Sequence, residues 1–391
     1  MREFEKSHPW VTFQADLRRL DHKIWIALGA AESKCIHIGN VLMKPALKER
    51  LHSTYLAKGI HSTSAIEGNT LSEEEVRKRI QGELPLPQSR EYQGKEIDNI
   101  LDGYNLVQQQ ILSGGPDVLT PEEIKNYNRI ILKDLPLEDH VVPGEYRKVS
   151  VGVMGYRGAP ANDCEFLVNR MCEWLNQDEF KSANNQIVYG IIRAIIAHLY
   201  LAWIHPFGDG NGRSARLIEL KIMLAAGAPA PAAHLLSNHY NRTRTEYYRQ
   251  LDYASKSKGD IFQFIQYAVV GLLDGLQEQL LFIHTEQLKI FWRDYVYEVF
   301  GSLPGKVDMR KRRLALDLAE IFNPLKIEQI REISPKVAQE YAGKTTRTIQ
   351  RDLDSLKQMG LVVSDQDGYR ANLGLLSQYF AAARRPIPAG V

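Results

Sequence analysis

His205-Pro206-Phe207-Gly208-Asp209-Gly210-Asn211-Gly212-Arg213-Ser214-Ala215-Arg216 closes one apolar helical run and opens the next. Glycines at 208, 210 and 212 let the backbone approach a ligand and take up angles that other residues resist. Arg213 to Ala225 reads as a helix, so the free N–H groups of its first turn face the glycine loop and form an anion site suited to phosphate oxygens. Arg213 and Arg216 stand three apart on one face of that turn and add two guanidinium forks. Asp209 can hold Mg²⁺, which takes one or two carboxylates and leaves its other positions to phosphate and water. His205, at the end of an apolar helix, can act as a general base near neutral pH. Phe207 is expected to point the other way and pin the loop to the core. The assembled device is a triphosphate cradle with a metal and a base, which is phosphoryl or nucleotidyl chemistry. With residue frequencies near ~5%, eight specified positions at fixed spacing recur by chance at on the order of 10⁻¹⁰ per site.

Outward from this segment, almost every stretch reads as helix. Residues 11–31 and 40–60 carry apolar positions at helical spacing. Ser72 followed by acidic residues starts another helix, which ends near Gln81 before Pro85 and Pro87. A run over 89–112 stops at Ser113-Gly114-Gly115-Pro116, and Thr120-Pro121-Glu122-Glu123 is a capped start. Helices are expected over 166–176, 185–204 and 259–300. The first β signal is Tyr146 to Tyr156, where Val149, Val151 and Val153 alternate with Ser150 and Gly152; glycines at 144, 152, 155 and 158 make it a short hairpin.

The 391 residues suggest two or three domains, each long enough for a core. Net charge is 49 − 47 = +2, so no global field draws the chain to nucleic acid or membrane. Cys35, Cys164 and Cys172 lack the spacing of a disulfide framework or zinc cluster. The start, MREFEKSHPWVTF, lacks the apolar core of a signal peptide. Ile187 to Ile204 is nearly long enough to span a membrane, but Arg193 and His198 interrupt it, so it reads as a buried core helix. These features point to a soluble, cytoplasmic protein without membrane contact.

Residues 306–375 change character, with basic residues in excess of acidic ones. Ile333 to Gly343 and Thr345 to Gly360 read as two helices joined by Ala342-Gly343-Lys344. The second carries Thr345, Thr346, Arg347, Gln350 and Arg351 near its start, and Leu361 to Arg370 looks like a small β wing. This resembles a winged helix-turn-helix, which can enter a DNA groove or dock a protein. Asp352 and Asp354 in the helix weigh against DNA, and both partners stay open. Arg384 to Val391 is expected to be a loose tail.

His205 to Arg216 is identified with the Fic family motif, His-x-Phe-x-(Asp/Glu)-Gly-Asn-Gly-Arg-x-x-Arg, without departure. The resemblance implies a mainly α fold: a Fic-type helical core with a β-hairpin flap, after an N-terminal helical inhibitory region and before the winged helix. The expected domains are 1–112, 113–300 and 301–391. It further implies AMP transfer from ATP to a Ser, Thr or Tyr hydroxyl of a target protein. His205 would then be the base and Asp209 the Mg²⁺ ligand, with Gly210, Asn211 and Gly212 as anion hole. Arg213 and Arg216 would hold the β- and γ-phosphates.

Thr63-Ser64-Ala65-Ile66-Glu67-Gly68-Asn69 alone is an ordinary helix end at Gly68. Beside the intact motif it resembles the family's inhibitory signature, (Ser/Thr)-x-x-x-Glu-(Gly/Asn), with Thr63, Glu67 and Gly68 in its fixed positions. The resemblance implies that Glu67 pairs bidentately with Arg216 and displaces the γ-phosphate, and that reverse removal of AMP is open to the same site. The 145–158 hairpin, preceded by Pro143-Gly144, matches the family's flap in placement. Tyr240, Tyr247 and Tyr248 are candidates for the adenine wall, although tyrosines at helical spacing also serve as core. His198, seven residues before His205, reads as a core histidine. Other readings make the chain a DNA-binding regulator with the nucleotide site as sensor, or a toxin-like modifier. The sequence leaves a homodimer open.

Overall fold

The computed structural model describes residues 2–150, 152–153, 156–182, 184–301, 305–321 and 323–376. Val151 and Gly155 of the expected hairpin, and the tail from Arg384 to Val391, lie outside the described residues. The protein is mainly helical. The described residues up to Leu280 pack as one compact unit and those from Leu281 as another. The first unit holds α1 (Phe4–Ser7), α2 (His22–Asn40), α3 (Pro45–Ile66), α4 (Glu73–Ile80), α5 (Glu91–Leu112) and α6 (Pro121–Ile131). After α6 comes a hairpin whose strands β1 (Gly152–Val153) and β2 (Tyr156–Arg157) pair antiparallel. Then follow α7 (Cys164–Leu175), α8 (Gln186–Ile204), α9 (Asn211–Ala225), α10 (Ala230–Ala233), α11 (Leu235–Arg242) and α12 (Arg244–Lys256). Helix α13 (Phe262–Phe300) runs from the first unit into the second.

Helix α8 decides the core. It is apolar on every side, and such a helix must be surrounded. Ile191, Ile192, Ile195, Ile196, Leu199 and Trp203 are all buried, each contributing roughly 1.5–3 kcal/mol by burial. Among the described residues α8 alone is long and apolar enough to cross a membrane, and it lies in the core. Its buried Arg193 is neutralised by Asp117 at 2.7 Å and donates to Asn176 Oδ1 at 2.9 Å. His198 is fully buried, within hydrogen-bond distance of the Tyr247 hydroxyl (2.8 Å). Helix α9 packs back along α8 and is enclosed by α3, α5 and α6. The joint between α8 and α9 is the motif loop. The three cysteines are free and buried.

Local chemistry fixes the other boundaries. Ser72–Glu75 and Thr120–Glu123 form reciprocal capping boxes at the starts of α4 and α6, with Pro121 in the first turn. The helix expected from residue 11 begins only at His22. Asp16 and Asp21 each accept a backbone N–H two residues ahead, Arg18 and Lys23, holding 11–21 in turns and capping α2 at Asp21.

The second unit holds α14 (Lys306–Leu318), α15 (Pro335–Glu340), α16 (Thr346–Gln358) and the antiparallel pair β3 (Val362–Asp365) and β4 (Gly368–Ala371). Trp292, Leu314, Ile330, Tyr341, Leu353 and Leu361 are among its core residues. Helix α15 is shorter than the expected 333–343, because Ser334 caps it at Pro335 and a 3₁₀ turn occupies 327–332. Asp352 faces inward, where it accepts from Arg310 Nε (2.8 Å) and Tyr341 Oη (3.0 Å).

Candidate active site

Helix α8 ends at His205, whose φ of 49° and ψ of 58° place a non-glycine residue in the left-handed region. That conformation costs roughly 1–2 kcal/mol and persists only where neighbours impose it. The His205 N–H still bonds Leu201 O (2.8 Å), while its carbonyl accepts from Arg147 Nε (2.7 Å). The chain then reverses. Phe207, fully buried as expected, pairs with Tyr146, and Asn211 closes the loop by bonding both Phe207 N and Phe207 O at 2.9 Å. Gly210 has φ 76°, and a Cβ there would meet Asn128 Nδ2 at 3.0 Å, so this turn requires glycine. Asn128, buried on α6, donates to Asp209 O (2.9 Å) and accepts from Gly144 N (2.9 Å), tying the motif loop to the start of the flap segment.

At the start of α9, Arg213 and Arg216 are 5% and 2% exposed. Arg216 Nη2 donates to Glu67 Oε1 (2.5 Å) and to Thr63 O (2.9 Å). The ion pair is therefore single-pronged, not the bidentate one expected, because Thr63 O takes part of the same nitrogen. Arg216 Nε and Nη1 and Arg213 Nε are buried without hydrogen-bond partners. Unpaired buried donors of this kind suit a polyanion. Arg213 spends its remaining donors on Asp209 (3.1 and 3.2 Å) and Glu96 Oε1 (3.0 Å).

The Glu67 segment both ends a helix and reaches the start of α9. Gly68, at φ 102°, ends α3: its N–H bonds Ala65 O (3.0 Å) and the Asn69 N–H bonds Ser64 O (3.2 Å), a Schellman stop. This puts Glu67 at the cap just past the last helical residue, Ile66, with its carboxylate against the start of α9. A Cβ built on Gly212 would lie 2.1 Å from Glu67 Oε1. The carboxylate thus stands at the start of α9, where an anion would bind. Burial raises the Glu67 carboxyl pKa, but the Arg216 guanidinium, helped by Arg213 and His205, outweighs it and holds the group below the usual carboxylate value.

The His205 imidazole pKa is pushed down to about 4, mainly by burial. A contact with Ala202 O opposes this, Arg147 adds to it, and Glu67 and Asp209 oppose it. Above pH 4 the ring is therefore neutral and able to accept a proton. Asp209 is half open to solvent, and among the described residues no cluster of three or more His, Cys, Asp or Glu surrounds it. A single carboxylate at the mouth of an anion site fits a Mg²⁺ whose other ligands come from phosphate and water.

The structure brings together His205, Asp209, Gly210, Asn211, Gly212, Arg213, Arg216, Thr63, Glu67 and Gly68. The three tyrosines differ in their place relative to the site. Tyr240 is fully buried with its hydroxyl on Glu219 (2.9 Å), so its ring belongs to the core rather than to a wall open to a base. Tyr247 is also buried, against His198. Tyr248 is half-buried and donates to Ile66 O (3.3 Å), beside the end of α3. Sequence reasoning missed Glu96, Asn128 and the role of Arg147. The first two are single polar residues on amphipathic helices and carry no local signal.

Residues 118–223 match the family model described as "Fic/DOC family". The chain is 27% identical over 253 residues to "Protein adenylyltransferase Fic" of Nematostella vectensis, covering 64% of this chain and 54% of that one. It is 32% identical over 223 residues to "Protein adenylyltransferase fic-1" of Caenorhabditis briggsae, covering 57% and 40%. The chain thus spans about half the length of the curated relatives it matches. Among solved structures, Fic-1 from C. elegans aligns with a TM-score of 0.55 at 24% identity, covering 68% of this chain and 74% of that one. A Fic family protein from Desulfovibrio desulfuricans aligns at 0.56 and 20%, covering 89% and 95%. These likenesses establish a shared helical fold.

Proposed function

Since residues 118–223 form a Fic domain in a chain homologous to Fic-family protein adenylyltransferases, we propose that this protein transfers AMP from ATP to a Ser, Thr or Tyr hydroxyl of a target protein, with Glu67 as its restraint. The observation that carries the reading is the placement of a neutral imidazole beside a helix start and two arginines with unpaired buried donors. The acceptor oxygen attacks the α-phosphorus, the bond from that phosphorus to the bridging oxygen breaks, and pyrophosphate leaves. His205 takes the hydroxyl proton. The N–H groups at the start of α9 hold phosphate oxygens, and Arg213 and Arg216 hold the departing β- and γ-phosphates. Asp209 would hold a Mg²⁺ that neutralises phosphate charge. On the same reading Glu67 would also orient a water for the reverse removal of AMP. The test is mass spectrometry of lysate proteins incubated with ATP and the Glu67→Gly form; an adenylyl group on a protein side chain is expected, and its complete absence overturns the reading.

The low imidazole pKa fixes the sign of a pH effect. The proton-accepting form is full above the folded pKa and disappears as pH falls through about 4. The acid limb of kcat/KM for transfer is expected well below the free-imidazole value of about 6.5. A limb at or above that value contradicts the buried-base assignment.

A second reading concerns the C-terminal unit, which we read as a winged helix. Of the two acids that weigh against nucleic acid, Asp352 is turned inward while Asp354 stays exposed, and the exposed basic residues are Lys344 just before α16 and Arg347 and Arg351 in its first turns. On this reading the unit binds duplex DNA through its phosphates, and the double change Arg347→Ala with Arg351→Ala lowers the slope of log affinity against log salt by about 2. Fluorescence anisotropy with a labelled duplex measures it. No duplex binding at low salt makes the unit a protein-docking module instead.

A further inference from the structure

Arg147 is a buried cation without an anion. It is 4% exposed, and among the described residues no carboxylate pairs with it. Its guanidinium is instead shared among three main-chain carbonyls. Nε donates to His205 O (2.7 Å), Nη1 to Val149 O (2.7 Å) and Nη2 to Ala159 O, while its own N–H donates to Pro206 O (2.9 Å). Burying a charge is costly unless hydrogen bonds replace its water. Three carbonyls from three separate places are therefore an arrangement the fold maintains at a cost. Their identity suggests why. Val149 and Ala159 flank the hairpin β1–β2 on either side, so one side chain clamps both legs at their base. The third carbonyl belongs to the residue held in the left-handed conformation.

We propose that Arg147 is a positioning residue that locks the His205 backbone and the base of the hairpin into one frame, so that an acceptor segment laid along the hairpin presents its hydroxyl to the imidazole. This deepens the transferase reading and rests on it. A guanidinium is needed because its planar fork donates in several fixed directions at once, whereas an ammonium is a point charge on a flexible stem. Retaining the charge alone therefore does not suffice.

The experiment uses full-length protein carrying Glu67→Gly as parent, with Arg147→Lys and Arg147→Gln added separately. Expected are a fall in kcat for protein modification of about 10²-fold, as a misplacement near 1 Å gives, and ATP binding within threefold of the parent. Lysine should rescue no better than glutamine. ATP binding is read on forms that also carry His205→Ala, with a fluorescent ATP analogue. A parental kcat in Arg147→Lys, or equal losses in ATP binding and turnover, overturns the proposal. Failure of both variants to bind ATP at all assigns Arg147 to the scaffold and likewise overturns it. The parent separates the two levels: if Glu67→Gly itself modifies no protein, the transferase reading fails, whereas an active parent indifferent to Arg147 sinks only this inference.

Discussion

Glu67→Gly is expected to raise auto-modification with labelled ATP by about 10²-fold, the factor a reacting-group displacement near 1 Å commands. The reasoning is spatial. Glu67 Oε1 sits 2.5 Å from Arg216 Nη2 and over Gly212, so it holds the guanidinium and the helix start that a γ-phosphate would need. On the proposed reading, a nucleotide bound beside it would lack the place for its γ-phosphate, and its α-phosphorus would be turned from the line of attack. Glycine removes the carboxylate and releases Arg216 Nη2 from it, alongside Nε and Nη1, which are already unpaired among the described residues. The same change should lower stability by about 1–3 kcal/mol. That is less than for a fully enclosed pair, because Arg216 is almost wholly buried but a third of Glu67 meets solvent. ATP should restore part of the loss by binding the folded form. Faster labelling with a lower melting temperature is the expected pair of results. Equal labelling by wild type and variant removes the restraint from the account.

His205→Ala in the Glu67→Gly background should lower transfer by about 10²–10⁴-fold, the usual contribution of a positioned base. ATP affinity should be little changed, because the phosphate-facing groups lie on α9. Alanine tolerates the left-handed conformation poorly, but by only about 1 kcal/mol. A melting curve close to the parent's would therefore assign the loss to chemistry. Transfer at the parental rate by this variant sinks the enzymatic reading.

Much of this was legible in the chain alone, for identifiable reasons. The starts of α4 and α6 could be read because caps act within one turn, and the end of α9 at Ala225 was read too, although α9 begins at Asn211, two residues before the expected Arg213. Helix α8 could be placed in the core because an all-round apolar helix has nowhere else to go. The start of α2 could not, since apolar spacing over 11–21 was overruled by two aspartates that captured backbone donors. The Glu67–Arg216 contact was anticipated from pattern, but its single-pronged form depends on Thr63 O, a main-chain atom that any residue supplies. Glu96 on Arg213 joins residues 117 apart, and nothing local encodes such a meeting. For Tyr240 the sequence left core and adenine wall both open, because a buried tyrosine and a base-stacking one look alike until the partner of the hydroxyl, here Glu219, is known.

Position 212 has a consequence for how the chain can vary. Any side chain there would collide with the Glu67 carboxylate and would crowd the same space against an incoming phosphate. On the proposed reading, a side chain at this position would press on the restraint and on the phosphate site together. Release of the proposed restraint is then expected from changes at Glu67 or in the 63–69 turn that aims it, with residue 212 remaining glycine.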